Sequence, residues 1–222
     1  NALLAQVTQS QSYTNMQYPQ WQGDDITANP GSNKQACAQL DAFRASADNK
    51  GVVAAWNQHY KIIQLANDLI DNAGRTQTSA TERNIALGQA HFWRAYAYFY
   101  LVRIFGPLPI SLHSESDGGK TQLTDVEGVY KLIVDDLTKA DELNLPTAYK
   151  GEPRNMFGCD VYVTQQAVKS TLAAVYMAMA GYPLNKGQEY YAKAADAAEA
   201  VIKGVENGTY NHNMDAEWKN VY

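Results

Sequence analysis

The residues that would organise covalent chemistry in this chain are its four histidines, its two cysteines and its neighbouring carboxylates. Nucleophilic hydrolysis needs a serine or cysteine beside a base that a third group orients. His59, His91, His113 and His212 are scattered and belong to no such motif. His59 and His91 fall inside helical periodicity and read as partly buried packing residues, whereas His113 and His212 fall in loops and read as solvated. Glycosidic cleavage asks for two carboxyls roughly 5 to 10 Å apart across a cleft. Asp24-Asp25, Asp68 with Asp71, and Asp135-Asp136 are the available pairs. Asp68, Asp71 and Asp135 fall on polar helix faces, which leaves only the loop pair Asp24-Asp25 open. Cys37 and Cys159 lie far apart without CxxC or Cys/His spacing, and read as small apolar residues, not a zinc site or disulfide framework. Glycine-rich phosphate loops, HExxH and EF-hand patterns are absent, so no metal and no cofactor is implied.

The elements that position these residues are helical almost throughout. Hydrophobic residues make up 45% of the 222 and charged residues 18%, an ordinary globular balance. The net charge of -5 argues against binding to nucleic acid through its phosphates. No apolar run approaches the ~18 residues of a membrane span. The chain starts at Asn1 without a basic-apolar leader and reads as a processed or truncated piece. Across 51–73, Val52, Trp56, Tyr60, Ile63, Asn67 and Ile70 recur at steps of three and four. Ser79-Ala80-Thr81-Glu82 and Thr124-Asp125-Val126-Glu127 have capping-box spacing, in which hydroxyl and carboxylate each satisfy a free backbone N–H. They open helices over 79–105, stopped by Gly106-Pro107, and from 126 to just before Pro146. The second of these has Val126, Val129 or Tyr130, Ile133, Leu137, Ala140 and Leu143 inward and Lys131, Asp135, Lys139 and Glu142 outward. Further helices are expected at 2–12, 34–47, 164–180 and 188–203, the last alanine-rich and suited to close helix approach. Residues 15–33 read as a polar loop. The fold class is all-α, about seven helices, with the pairs centred near 62 and 93 and near 173 and 196 sized like tetratricopeptide units in an α-α superhelix.

The most informative stretch runs from Gly88 to Ile110, a helix so aromatic that it must be contacted on several sides. Arg94-Ala95, Tyr98, Leu101-Val102, Phe105-Gly106 and Pro109 within it resemble the RA-x-x-Y-x-x-L-v-x-x-F-G-x-v-P signature of the SusD/RagB family. Trp56, Tyr60, Ile63, Asn67 and Ile70 are similar to that family's preceding helix. Val129-Tyr130, Ile133, Asp136-Leu137, Ala140, Leu143 and Pro146 are similar to its next one. Leu172-Ala173 with Val175-Tyr176, followed by Tyr191, Ala194, Ala197 and Val201-Ile202, resemble the pair after that.

The resemblance implies a non-catalytic, surface-exposed nutrient-binding lipoprotein of the outer membrane. Such a protein holds glycans, glycopeptides or peptides and hands them to a SusC-like TonB-dependent channel. Residues 1–222 would then be a single helical domain, the N-terminal, tetratricopeptide-like half of the family's protein, with the C-terminal half and the lipid-anchoring cysteine absent from this chain. Contact with the membrane would be through that anchor alone. Sugar recognition needs an exposed ring to stack on a pyranose and amide, carboxylate or guanidinium groups to bond its hydroxyls. Residues 15–50 supply those parts in Tyr18, Trp21, Asp24, Asp25, Asn29, Asn33 and Arg44. Trp21 reads first as a cover over the core beneath its loop and second as a ligand contact. Two other classes fit the helices: a tetratricopeptide-type peptide-binding scaffold and an α/α-barrel glycan-active enzyme.

Overall fold

The computed structural model describes residues 2–10, 23, 27, 28, 31, 34–114, 122–151, 154–156 and 159–211. Among these are seven α-helices: α1 (Ala2–Ser10), α2 (Gln35–Asp41), α3 (Lys50–Asn72), α4 (Ala80–Phe105), α5 (Val126–Glu142), α6 (Gln165–Ala180) and α7 (Gln188–Glu206). Two minimal antiparallel hairpins join them, Leu108–Pro109 with Leu123–Thr124 and Asn155–Met156 with Cys159–Asp160. The all-α class expected from periodicity is what the chain adopts, with seven α-helices among the described residues. The chain divides into two compact units: residues 1–77 with 93–133, and residues 78–92 with 134–222.

In the first unit α3 packs against α1, α2 and the Trp93–Phe105 stretch of α4. The last pairing is antiparallel: Trp56 meets Phe105 edge to face at 5.1 Å, His59 stacks on Tyr100 at 3.9 Å, and Asn67 accepts from Arg94 Nη1 at 2.8 Å. The buried line of α3 is Ala55, His59, Ile62, Ile63, Ala66 and Asn67. Val52, Trp56, Tyr60 and Ile70, expected to point inward, are only half-buried. The helix is rotated so that small and branched residues are buried, while the half-buried rings of Trp56 and Tyr60 meet Phe105 and Tyr98 of α4 edge to face.

The second unit centres on α6 and α7, which pack along their length as an antiparallel pair joined by the 181–187 turn. Val168, Leu172, Val175 and Met179 are the buried line of α6, and Tyr176 meets Tyr190 edge to face at 6.1 Å. Of the alanines in α7 only Ala194 is buried, and Ala192, Ala195 and Ala200 are exposed. The same unit holds a pair of buried polar ties. His91 Nδ1 lies 2.8 Å from Asp136 Oδ1, and Gln89 exchanges hydrogen bonds with the Val163 backbone, donating to its carbonyl at 2.8 Å and accepting from its N–H at 2.9 Å.

The helix starts differ in detail from the capping-box expectation. Ser79 Oγ does accept from Glu82 N at 3.1 Å, but the Glu82 carboxylate pairs with Arg154. In α5 the cap is Asp125, whose Oδ1 accepts from Gly128 N at 2.8 Å. Thr124 is instead committed to the strand pair with Leu108. Gly106 ends α4 in a left-handed conformation at φ 72°, with its N–H on the Val102 carbonyl at 3.1 Å.

Candidate functional site

Of the residues the sequence nominates for ligand contact, Tyr18, Trp21, Asp24, Asp25, Asn29 and Asn33 lie outside the described residues. Arg44 is described, and it is exposed. It follows α2, expected over 34–47 but ending at Asp41, because the chain turns there in a closed hydrogen-bonded cap. Arg44 N–H donates to Gln39 O at 2.8 Å and Phe43 N–H to Leu40 O at 3.0 Å, the paired bonds of a Schellman ending. The first of the two donors along the chain in such an ending is left-handed, a place glycine ordinarily fills. Here it is Phe43, at φ 52°. Its side chain is 72% exposed. Sequence reasoning passed over it, because an apolar residue at the end of a helix reads as core.

The loop that carries Phe43 and Arg44 is tied down at both ends. Asp41 Oδ2 accepts from Thr27 Oγ1 and from Ala28 N, both at 2.9 Å, so part of the 15–33 loop is pinned to the end of α2. Ala28, Cys37 and Leu40 cluster beneath it, Cys37 as a buried free thiol. At the far end Asn49 caps α3, accepting from Gly51 N at 2.9 Å and Val52 N at 3.3 Å. Its amide reaches back to Ala36 O at 3.1 Å and Gln39 Oε1 at 2.8 Å. Between these anchors is a hollow of about 280 Å³ lined by Gln35, Gln39, Ser46, Asp48, Asn49 and Lys50. Ser46 donates to the Asp48 carboxylate and holds its pKa below the ordinary value, so Asp48 is an acceptor at neutral pH. Amides, a hydroxyl, a carboxylate and an ammonium around a small hollow match the donor and acceptor pattern of a polyol.

A second hollow, of about 320 Å³, lies in the same unit along α3 and the 109–114 segment, with Asn57, Tyr60, Lys61, Gln64, Ser111 and His113 on its walls. Buried polar groups fix that segment. Asn67 Nδ2 donates to Ser111 O at 3.0 Å and His113 O at 3.2 Å, while Tyr98 OH donates to Ser111 O at 3.1 Å and accepts from Ser111 N at 2.8 Å. Tyr60 OH donates to Pro109 O at 2.9 Å, and burial, reinforced by the neighbouring Tyr98 phenol, pushes its pKa well up. The amide of Asn67 amid an apolar line was the sequence signal for this network.

The carboxylates and histidines weighed for catalysis are placed as follows. Asp71 accepts from Ser114 N at 2.8 Å and lies 3.3 Å from His113 Nδ1; chiefly the Ser114 bond lowers its pKa. Asp136 is buried on His91, whereas Asp135 and Asp68 are exposed. His59 is buried, donating from Nδ1 to Ala55 O at 2.7 Å, and desolvation lowers its pKa. His212 lies outside the described residues. Among the described residues no group of three or more His, Cys, Asp or Glu converges to hold a metal, and no helix is long and apolar enough to cross a membrane.

Comparison with known proteins shows which chains this one resembles. SusD-like protein P2 of Formosa agariphila is 29% identical over 187 residues, covering 83% of this chain and 33% of its own length. A SusD homolog of Bacteroides thetaiotaomicron superposes with a TM-score of 0.78 at 22% identity, over 99% of this chain and 42% of that one. A structure solved with a xylogluco-oligosaccharide gives a TM-score of 0.66 at 24% identity, over 91% of this chain and 40% of that one. The chain thus spans about a third of the length of the curated relative it matches. Residues 1–177 match the SusD-like family described as starch-binding and associating with the outer membrane, and the chain belongs to that family.

Proposed function

We propose that the protein carrying this chain captures glycans, or glycopeptides or peptides, at the outer-membrane surface without cleaving them, and delivers them to a SusC-like TonB-dependent channel. In this reading it is lipid-anchored at the cell surface, and residues 1–222 are the helical N-terminal half of a longer protein. The observation that carries the reading is Phe43. An aromatic ring is displayed to solvent from a left-handed backbone position, beside Arg44 and on the loop that borders a polyol-sized polar hollow. Such a residue is costly twice over, once in backbone strain and once in exposed apolar surface, and a binding role explains both. The oligosaccharide in the fold neighbour supports saccharide as the ligand class. Phe43 stacks on a sugar ring, Arg44 bonds its hydroxyls, and Tyr18, Trp21, Asp24, Asp25, Asn29 and Asn33 complete the face.

The test is calorimetric titration of the full-length protein with neutral oligosaccharides, xyloglucan fragments among them, against Phe43→Ala, Arg44→Ala and Trp21→Ala. Loss of several-fold to about tenfold affinity on removing Phe43, the scale of one aromatic stacking contact, is the expected result. Unchanged affinity in all three folded variants removes this face from the site. Release of reducing sugar ends overturns the non-catalytic reading.

A further inference from the structure

We propose that the hollow between α3 and the 109–114 segment is a separate subsite for an acidic sugar residue, with Lys61 holding the carboxylate of a uronic acid. At about 320 Å³ it falls at the small end of ligand pockets, the size of one sugar ring. In a chain with a net charge of -5, none of its lining residues is a carboxylate. The Lys61 ammonium donates to a neutral partner, Gln64 Oε1, at 2.8 Å, and among the described residues it pairs with no acid. The acid that reaches this wall from α3 is Asp71, and its oxygens are taken by Ser114 N–H and His113 Nδ1. Asn57, Gln64 and Ser111 add amide and hydroxyl groups for the ring hydroxyls.

The far wall is held in place before any ligand arrives. Asn67 and Tyr98 are fully buried, and they spend their polar groups on the Ser111 and His113 backbone, with Arg94 Nη1 bracing Asn67 Oδ1 at 2.8 Å. Binding therefore orders little on that side, and a wall that costs nothing to order leaves the charge contact to decide between ligands. Lys61 sits at a rim open to solvent, so its selectivity is sensitive to salt.

This inference rests on the reading of the protein as a saccharide binder, and its test separates the two. Full-length protein is titrated at low salt with xylotetraose and with a xylo-oligosaccharide of equal length bearing one glucuronic acid. The acidic probe binds on the order of tenfold more tightly, the scale of one hydrogen bond to a charged group. Lys61→Gln removes that preference, Lys61→Arg keeps most of it, and 0.5 M salt, on the order of several times physiological ionic strength, erodes it. Equal binding of the two probes, or a preference that survives Lys61→Gln, overturns the acidic subsite while leaving saccharide capture intact. Failure of the acidic probe to bind at all also overturns it. Whether saccharide capture falls as well is read from the neutral panel and the Phe43 variants.

Discussion

Replacing Phe43 by glycine should make the protein more stable and a worse binder at once. A residue with a β-carbon in the left-handed region carries about 1 to 2 kcal/mol of strain, which glycine escapes. Glycine adds freedom to the unfolded chain, which takes back about 0.5 to 1 kcal/mol. With 72% of Phe43 exposed, little burial is forfeited. The balance is a gain of roughly 0.5 to 1 kcal/mol, well short of what a buried Phe would lose. Phe43→Ala is the control, since it removes the ring but keeps the β-carbon in the same turn at φ 52° and so lacks the gain. Both variants are followed by urea unfolding monitored through tryptophan fluorescence, and by oligosaccharide titration in parallel. Loss of affinity in both variants, with a higher midpoint in the glycine variant alone, is the signature of an aromatic kept for contact. A glycine variant destabilised by more than about 1 kcal/mol would refute the reasoning, because the ring would then be packing where exposure says it is not. A stabilised variant with undiminished affinity would leave the strain without a function.

Other substitutions probe the packing within each unit. Asn67→Ala removes a charge-assisted bond from Arg94 and donors to two carbonyls, and should cost about 3 kcal/mol by unfolding, with faster hydrogen exchange at the Ser111 amide; a loss under ~1 kcal/mol with unchanged exchange would mean the wall is held by something else. Gly88→Ala, ordinarily worth about 0.5 to 1 kcal/mol to a helix, should instead destabilise by about 1 to 2 kcal/mol, because its β-carbon would lie 2.6 Å from Leu145 Cδ2. Combining it with Leu145→Ala should cost less than the sum of the single changes. Burial holds the pKa of His59 below 6.5. The unfolded chain therefore takes up a proton where the folded one does not, so stability is full above pH 6.5 and falls as pH drops through the lower folded value. His59→Phe, which keeps a ring against Tyr100, should flatten that fall in unfolding curves measured between pH 7.5 and about 5.

What the sequence disclosed, and what it hid, divides along physical lines. The stripe of α5 was legible because Val129, Ile133, Leu137 and Ala140 obey one helical period, and all four are buried. Its cap was misplaced by one residue because Thr124 and Asp125 are both good caps, and the choice between them fell to a strand pair with Leu108, a contact that local spacing does not encode. The phase of α3 slipped because Trp56 and Tyr60 count as apolar in any periodic reading, yet a wide ring reaches Phe105 or Tyr98 while still half exposed, whereas Ala55 and Ala66 are buried outright. The candidate site was the least legible part for a related reason. A ligand face needs apolar groups left in water and polar groups left unspent, which is the reverse of the pattern that periodicity detects. Phe43 is invisible by its residue type alone and becomes conspicuous only once its φ and its exposure are known together. Asn67 is the opposite case: an amide on an apolar line signals a buried obligation, and the Ser111–His113 backbone discharges it. The proposed binding role draws on the same contrast in how side chains are used. Asp71, Asp136 and His91 are engaged in structural ties, whereas Arg44, Phe43 and Lys61 face solvent, where a ligand can reach them.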